Sequence, residues 1–96
     1  MSDLYVSASI TAKPESIELV KAELLKFISP TRVETGCIRY DLHQDSENPA
    51  HFVFYETWTN KATLDQHLAS DHIQAGLSAV EGNLEKVVIS LLNKLA

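Results

Sequence analysis

Cys37-Ile38-Arg39-Tyr40-Asp41-Leu42-His43-Gln44, a polar break at Asp45-Ser46-Glu47-Asn48-Pro49, and His51-Phe52-Val53-Phe54-Tyr55-Glu56-Thr57-Trp58 form the stretch that decides the fold. Both flanks alternate with period two, the signature of strands with one buried face. Ile38, Tyr40 and Leu42 fall on one side of the first. In the second, Phe52, Phe54, Glu56 and Trp58 oppose His51, Val53, Tyr55 and Thr57. The segment between them is dense in turn formers, so the two strands are expected to form an antiparallel hairpin.

Working outward, Leu4 to Thr11 alternates again, with Leu4, Val6, Ala8 and Ile10 on one side. Pro14 then opens a helical pattern, where its missing N–H costs nothing. Ile17, Val20, Leu24, Phe27 and Ile28 make its apolar stripe. Pro30 should kink or interrupt that helix near its end, Thr31 to Thr35 should add a turn, and Gly36 should stop it. After the hairpin, Thr59 or Asn60 caps a helix beginning at Lys61. This helix carries Leu64, His67 and Leu68 and breaks near Ser70-Asp71. A second piece runs from about His72 to Val80, and Gly82-Asn83 turns the chain into a last strand, Leu84 to Leu92. The order β-α-β-β-α-β predicts an α+β, ferredoxin-like antiparallel sheet with its helices on one face, as a single domain over residues 1–96. The other face carries Tyr5, Val53, Tyr55, Val88 and Leu92 among serines and threonines. A half-apolar face on so small a protein predicts a homodimer packed sheet against sheet.

Composition narrows the partners. Eight basic residues against 13 acidic ones give a net charge of −5. The Lys and Arg are scattered, so neither nucleic acid nor an anionic membrane is expected as a partner. The longest uninterrupted apolar run, Phe52 to Tyr55, is too short to cross a bilayer. The first dozen residues alternate and carry Asp3, unlike a secretory signal. One cysteine, Cys37, forbids an internal disulfide and suits a reducing, cytoplasmic setting.

No Walker loop, dinucleotide fingerprint or nucleophile elbow is present. His67 and His72 lie five apart across a helix break, and His43 and His51 flank the hairpin loop. No Cys pair or acidic-histidine motif accompanies them, so no metal site is expected. Cys37 reads as a small buried hydrophobe. What remains is an aromatic strand face of Phe54, Glu56 and Trp58 leading into a histidine-bearing helix. Apolar walls with few polar groups suit a small aromatic ligand, and a carboxylate with imidazoles in a partly dry site suits proton transfer. The plainer alternative makes the phenylalanines ordinary core, pairs Glu56 with a Lys or Arg, and sets Trp58 at the sheet edge.

Three fragments together, Gly36-Cys37-x-x-Tyr40-x-Leu42, Phe54-x-Glu56-x-Trp58 and His67-Leu68-x-Ser70-x-His72, resemble the antibiotic biosynthesis monooxygenase family, which includes quinol monooxygenases. The resemblance runs over nearly the whole chain. It implies a dimeric α+β barrel that oxidises small phenolic, quinol or anthrone-like compounds with O2 and no metal, flavin or haem. His67 and His72 match the family's helix histidines, one as proton acceptor and the other as an oxyanion partner. By the same resemblance Trp58 and Phe54 line the pocket, Tyr40 meets the substrate oxygen or packs, and Glu56 orients an imidazole or holds an ion pair. The haem-degrading relatives use an asparagine on the first strand, where this chain has Ser7 and Ser9. The family also contains an isomerase of a phosphorylated sugar, the alternative enzyme reading. A non-catalytic barrel that only binds its ligand is the alternative outside enzymes.

Overall fold

The computed structural model describes residues 3–96, as a four-stranded antiparallel sheet with helices on one face. β1 is Leu4–Ala12, α1 Ile17–Leu25, α2 Ile28–Arg32, β2 Cys37–Gln44, β3 His51–Trp58, α3 Lys61–Leu68, α4 Asp71–Val80 and β4 Leu84–Leu92. The strand order is β2-β3-β1-β4, the ferredoxin-like arrangement that the sequence predicts. Among the described residues no helix is long and apolar enough to cross a membrane.

Burial in β3 alternates from His51 to Glu56, and Thr57 near the strand end is buried as well. Phe52, Phe54, Glu56 and Trp58 are buried beneath the helices. Val6 and Ala8 of β1 join them, with Val20 and Leu24 of α1, Leu64 of α3, and Ile73 and Val80 of α4. Asn60 caps α3, its side-chain oxygen accepting from the Thr63 N–H at 3.0 Å.

Two expectations are corrected. The first concerns the helix around Pro30. A single 3-10 turn over Pro14–Ser16 leads into α1, and the interruption falls at Lys26-Phe27, with helix resuming over Ile28–Arg32. Proline removes the N–H that would bond the carbonyl four residues back, and its ring crowds that carbonyl. For Pro30 that carbonyl belongs to Lys26, so the break appears there and the extra turn precedes Thr35. The second concerns Ile38. A register shift between Cys37 and Arg39 leaves Ile38 without a cross-strand partner and 54% exposed. It does not share the inward face with Tyr40.

Two glycines set the geometry above the sheet. Gly36 has φ +84° between α2 and β2, and a Cβ there would collide with the Thr63 side chain. Its carbonyl accepts the Thr59 N–H at 2.9 Å, which ties this corner to the start of α3. Gly76 lets α4 close on α1, since a Cβ there would strike the Phe27 ring.

β4 differs from the other strands. Val87, Ile89 and Leu91 on its helix side are half-exposed, and so are Val88 and Leu92 on the outer side. The helices stop short of this edge.

Candidate active site

A cavity of about 110 Å³ lies between the sheet and α1, α3 and α4. Its wall is apolar apart from Tyr40, Glu56 and His67, and it contains no Lys or Arg. The mouth lies toward β4, among the half-exposed Leu68, Leu77, Val87 and Ile89.

His67 is the penultimate residue of α3, and its ring is 2% exposed. Its carbonyl accepts the Ser70 hydroxyl at 2.6 Å, which closes the end of α3 and turns the chain into α4. The turn brings His72, in the first turn of α4, back toward His67, with ring centroids 6.1 Å apart. Both imidazoles meet one carboxylate oxygen. His67 Nδ1 lies 2.7 Å and His72 Nε2 3.1 Å from Glu34 Oε2. Thr31, fully buried, places its hydroxyl 3.1 Å from His72 Nε2. The break at Ser70 is thus what makes the His67/His72 spacing useful.

Burial pulls the His67 imidazole below its ordinary pKa, and His72 adds to this. The hydrogen bond to Glu34 and its charge act the other way. His67 is therefore a neutral ring near pH 7, donating Nδ1–H to Glu34 and keeping Nε2 as its free nitrogen. Tyr40 stacks on Phe54 at 4.9 Å and meets the His67 ring edge-on at 5.3 Å. Desolvation holds its phenol well above the usual range, so it acts as a neutral donor or a wall.

Glu56 departs from both expectations for it. Among the described residues it hydrogen-bonds no imidazole and forms no ion pair; its Oε1 accepts the Trp58 Nε1–H at 2.9 Å. Desolvation pushes its carboxyl up to about 7, with the tryptophan bond opposing and the Glu34 charge adding. Glu34 orients the imidazoles instead. Trp58 also departs: it is fully buried and does not border the cavity. α3 starts three residues after Trp58 and covers it, and its ring packs on His67 at 4.8 Å. His72 lies behind His67, away from the cavity, beside a separate groove with Glu23 and Lys26. Phe54 stands on the cavity wall.

The remaining candidates lie elsewhere. His43 is exposed, and His51 lies on the outer face of the sheet. Cys37 has its thiol pKa raised, first by burial and then by the Glu34 and Glu56 charges, the opposite of an activated nucleophile. Among the described residues, Glu34, His67 and His72 form the group whose ligand atoms gather most like a metal site, within 4.8 Å of one another. Those atoms already bond one another, so the cluster is complete as a hydrogen-bonded unit.

Comparison with known proteins agrees with this architecture. The sequence profile described as antibiotic biosynthesis monooxygenase matches residues 3–85. Protein sll1783 of Synechocystis is 36% identical over 69 residues, covering 72% of this chain and 47% of its own length. The match thus spans about half of that longer relative. PA3566 from Pseudomonas aeruginosa is 35% identical, with a TM-score of 0.95 over 100% of this chain and 97% of its own. Rv0793 from Mycobacterium tuberculosis is 29% identical, with a TM-score of 0.90 over 99% and 97%. A profile that matches from the first strand into the last, together with relatives that share the whole sheet, assigns this chain to the antibiotic biosynthesis monooxygenase family.

Proposed function

We propose that the chain is a monooxygenase of small phenols or quinols that uses O2 and no cofactor, with His67 as the proton acceptor. One observation carries this reading. A neutral imidazole, anchored at Nδ1 by Glu34, borders an apolar cavity with Nε2 unengaged.

A phenol bound with its hydroxyl at His67 Nε2 loses its proton there, and Glu34 supports the imidazolium that forms. The anion is electron-rich enough to reduce O2 directly, so the substrate supplies the redox chemistry. The overall change balances as RH2 + O2 → R=O + H2O, with four electrons from substrate carbon and oxygen and no outside reductant. His72 and Thr31 act one step back, by fixing Glu34. Tyr40 and Phe54 confine the ring. An engineered cavity of about 150 Å³ holds one benzene; this one, at about 110 Å³, is smaller, so a phenol ring would extend into the mouth. With no Lys or Arg on the wall, a phosphorylated sugar finds no counter-charge, which argues against the isomerase alternative.

The working form is a homodimer. The outer sheet face and both faces of β4 present apolar side chains that a second copy would cover. A reducing cytoplasm suits the free Cys37.

The test is oxygen uptake by chelator-treated protein with a panel of quinols, phenols and anthrones. Uptake above autoxidation that is lost in His67→Ala supports the reading. No uptake while the same compounds bind overturns it in favour of a binding module.

A further inference from the structure

Glu56 is a buried acid that the scheme above leaves without a task. It sits in mid-strand on β3, 4% exposed, paired across the sheet with Val6 of β1 and Tyr40 of β2. A carboxyl in such a place normally has a cation beside it. Glu56 has none among the described residues, and its one hydrogen-bond partner is the Trp58 indole. Indole N–H is a donor only, so Oε1 must be the accepting oxygen whichever form the acid takes. The carbonyl oxygen of a carboxyl is a better acceptor than its hydroxyl oxygen, which assigns the proton on Glu56 to Oε2. No buried side-chain oxygen or nitrogen in the described residues lacks a partner, so Oε2 is not sealed inside protein. Glu56 borders the cavity. Its second oxygen opens there.

We propose that Glu56 is the catalytic acid of this site, delivering the proton on Oε2 to the reduced oxygen while His67 takes the proton from the substrate hydroxyl. The proposal rests on the phenol-oxidising reading and adds the second half of its proton balance. His67 Nε2 removes H⁺ from RH2. The anion RH⁻ joins O2 to give RHOO⁻. Glu56 gives H⁺ to the outer oxygen, making RHOOH. The O–O bond then breaks, leaving R=O and H2O. The imidazolium and the Glu56 carboxylate return to their starting states by proton exchange, so nothing is left over.

The surroundings favour the acid form. The titratable groups around Glu56 are Tyr40 and Cys37 from β2, His67 from α3 and Glu34 from the corner before β2. β1 offers Val6, while α1 and α4 offer only apolar side chains to the cavity. None of the carboxylate or thiol groups stabilises a negative Glu56, and burial keeps its carboxyl protonated to about pH 7. Trp58 acts as a positioning residue. It packs on His67 at 4.8 Å and bonds Glu56 at 2.9 Å, so it holds acid and base at one end of the cavity.

The decisive variant is Glu56→Gln, which keeps an acceptor for Trp58 and fills the same volume but cannot give up a proton. Expected is a fall in kcat of about 100-fold or more with affinity for a phenol inhibitor nearly unchanged. The wild type should lose kcat as pH rises through about 7, and the variant should lack that limb. An active wild type with an equally active Glu56→Gln overturns the acid role while leaving His67 chemistry standing. If the wild type binds phenol but takes up no O2 at all, the phenol-oxidising reading fails and the catalytic role falls with it, and difference infrared spectroscopy then tests the structural premise by itself. A protonated-carboxyl band absent in Glu56→Gln and shifted by bound phenol upholds the acid facing the ligand. No such band, or one indifferent to phenol, overturns it.

Discussion

Two histidine relays sit on opposite faces of the sheet, and they are wired almost alike. On the outer face, Asp45 Oδ2 lies 3.0 Å from His51 Nδ1, and His51 Nε2 lies 2.6 Å from Ser9 Oγ. On the inner face, Glu34 Oε2 lies 2.7 Å from His67 Nδ1. The outer set has the acid, imidazole and hydroxyl of a hydrolase triad. It lacks the rest: Ser9 is in mid-strand, paired with Val53 and Val88, so the ladders occupy the backbone donors that would serve as an oxyanion hole. Both ring nitrogens of His51 are spent, and water reaches the group. His67 keeps one nitrogen without a hydrogen-bond partner and borders an apolar cavity. An acid-histidine pair is therefore not a site until an atom is left over beside a space that can take a ligand.

Substitutions that separate the two relays are the strongest tests. His67→Ala should lower oxygen uptake by about 1000-fold, while His51→Ala should change it by less than about twofold. Equal losses would end the distinction. Next comes the anchor. Glu34→Gln keeps an acceptor but removes the charge, and should lower kcat by about 10- to 100-fold, with about 1.5–3 kcal/mol lost from stability in denaturant unfolding. Asp45→Asn should leave kcat in place.

The pH dependence of stability gives a third, smaller contrast. Glu56 is an acid whose folded-state value lies above its unfolded one, about 7 against 4.5. The folded state binds the extra proton between those values, so stability falls as pH rises through that window, by about 3 kcal/mol for this group alone. His67, a base held below its ordinary value, works in the opposite direction up to pH 6.5. The difference between wild type and Glu56→Gln isolates the Glu56 share. Asp45, held low chiefly by its bond to His51, contributes in the opposite sense to Glu56, with stability lost only as pH falls through its depressed value. Last, chelator treatment should change uptake by less than about twofold, because the Glu34 cluster is satisfied by its own hydrogen bonds. A large loss would mean that it holds a metal.

How far the sequence carries depends on the kind of signal. Regular alternation located β3 to the residue, and the Asn60 cap and the Ser70 break located α3 and α4. The His67/His72 pair was singled out as catalytic through the family resemblance alone; five residues across a helix break argued only against a shared metal site, and the turn at Ser70 that brings the rings together is seen in the structure. Glu34 was not singled out, since it lies in the irregular corner before Gly36, where no periodicity says which way a side chain points. Its partners are more than thirty residues away in sequence. The Glu56–Trp58 bond follows from i, i+2 spacing on one strand face, yet which of the two borders the cavity depends on where α3 lands. Ile38 was misread because one unpaired residue shifts the alternation, and composition does not announce a bulge.

β4 carries a consequence of another kind. It pairs only with β1, joining Tyr5 to Leu92 across nearly the whole chain. During synthesis from the N-terminus, β2 and β3 can form their hairpin and β1 can join it while β4 is still unmade. The cavity wall formed by Val87 and Ile89 comes last. Without the β1–β4 ladder the β2-β3-β1 sheet would remain, and one side of the chamber would be missing. Long-range pairing of this sort is slow to form, so closing the β1–β4 ladder is the step on which the shape of the chamber waits.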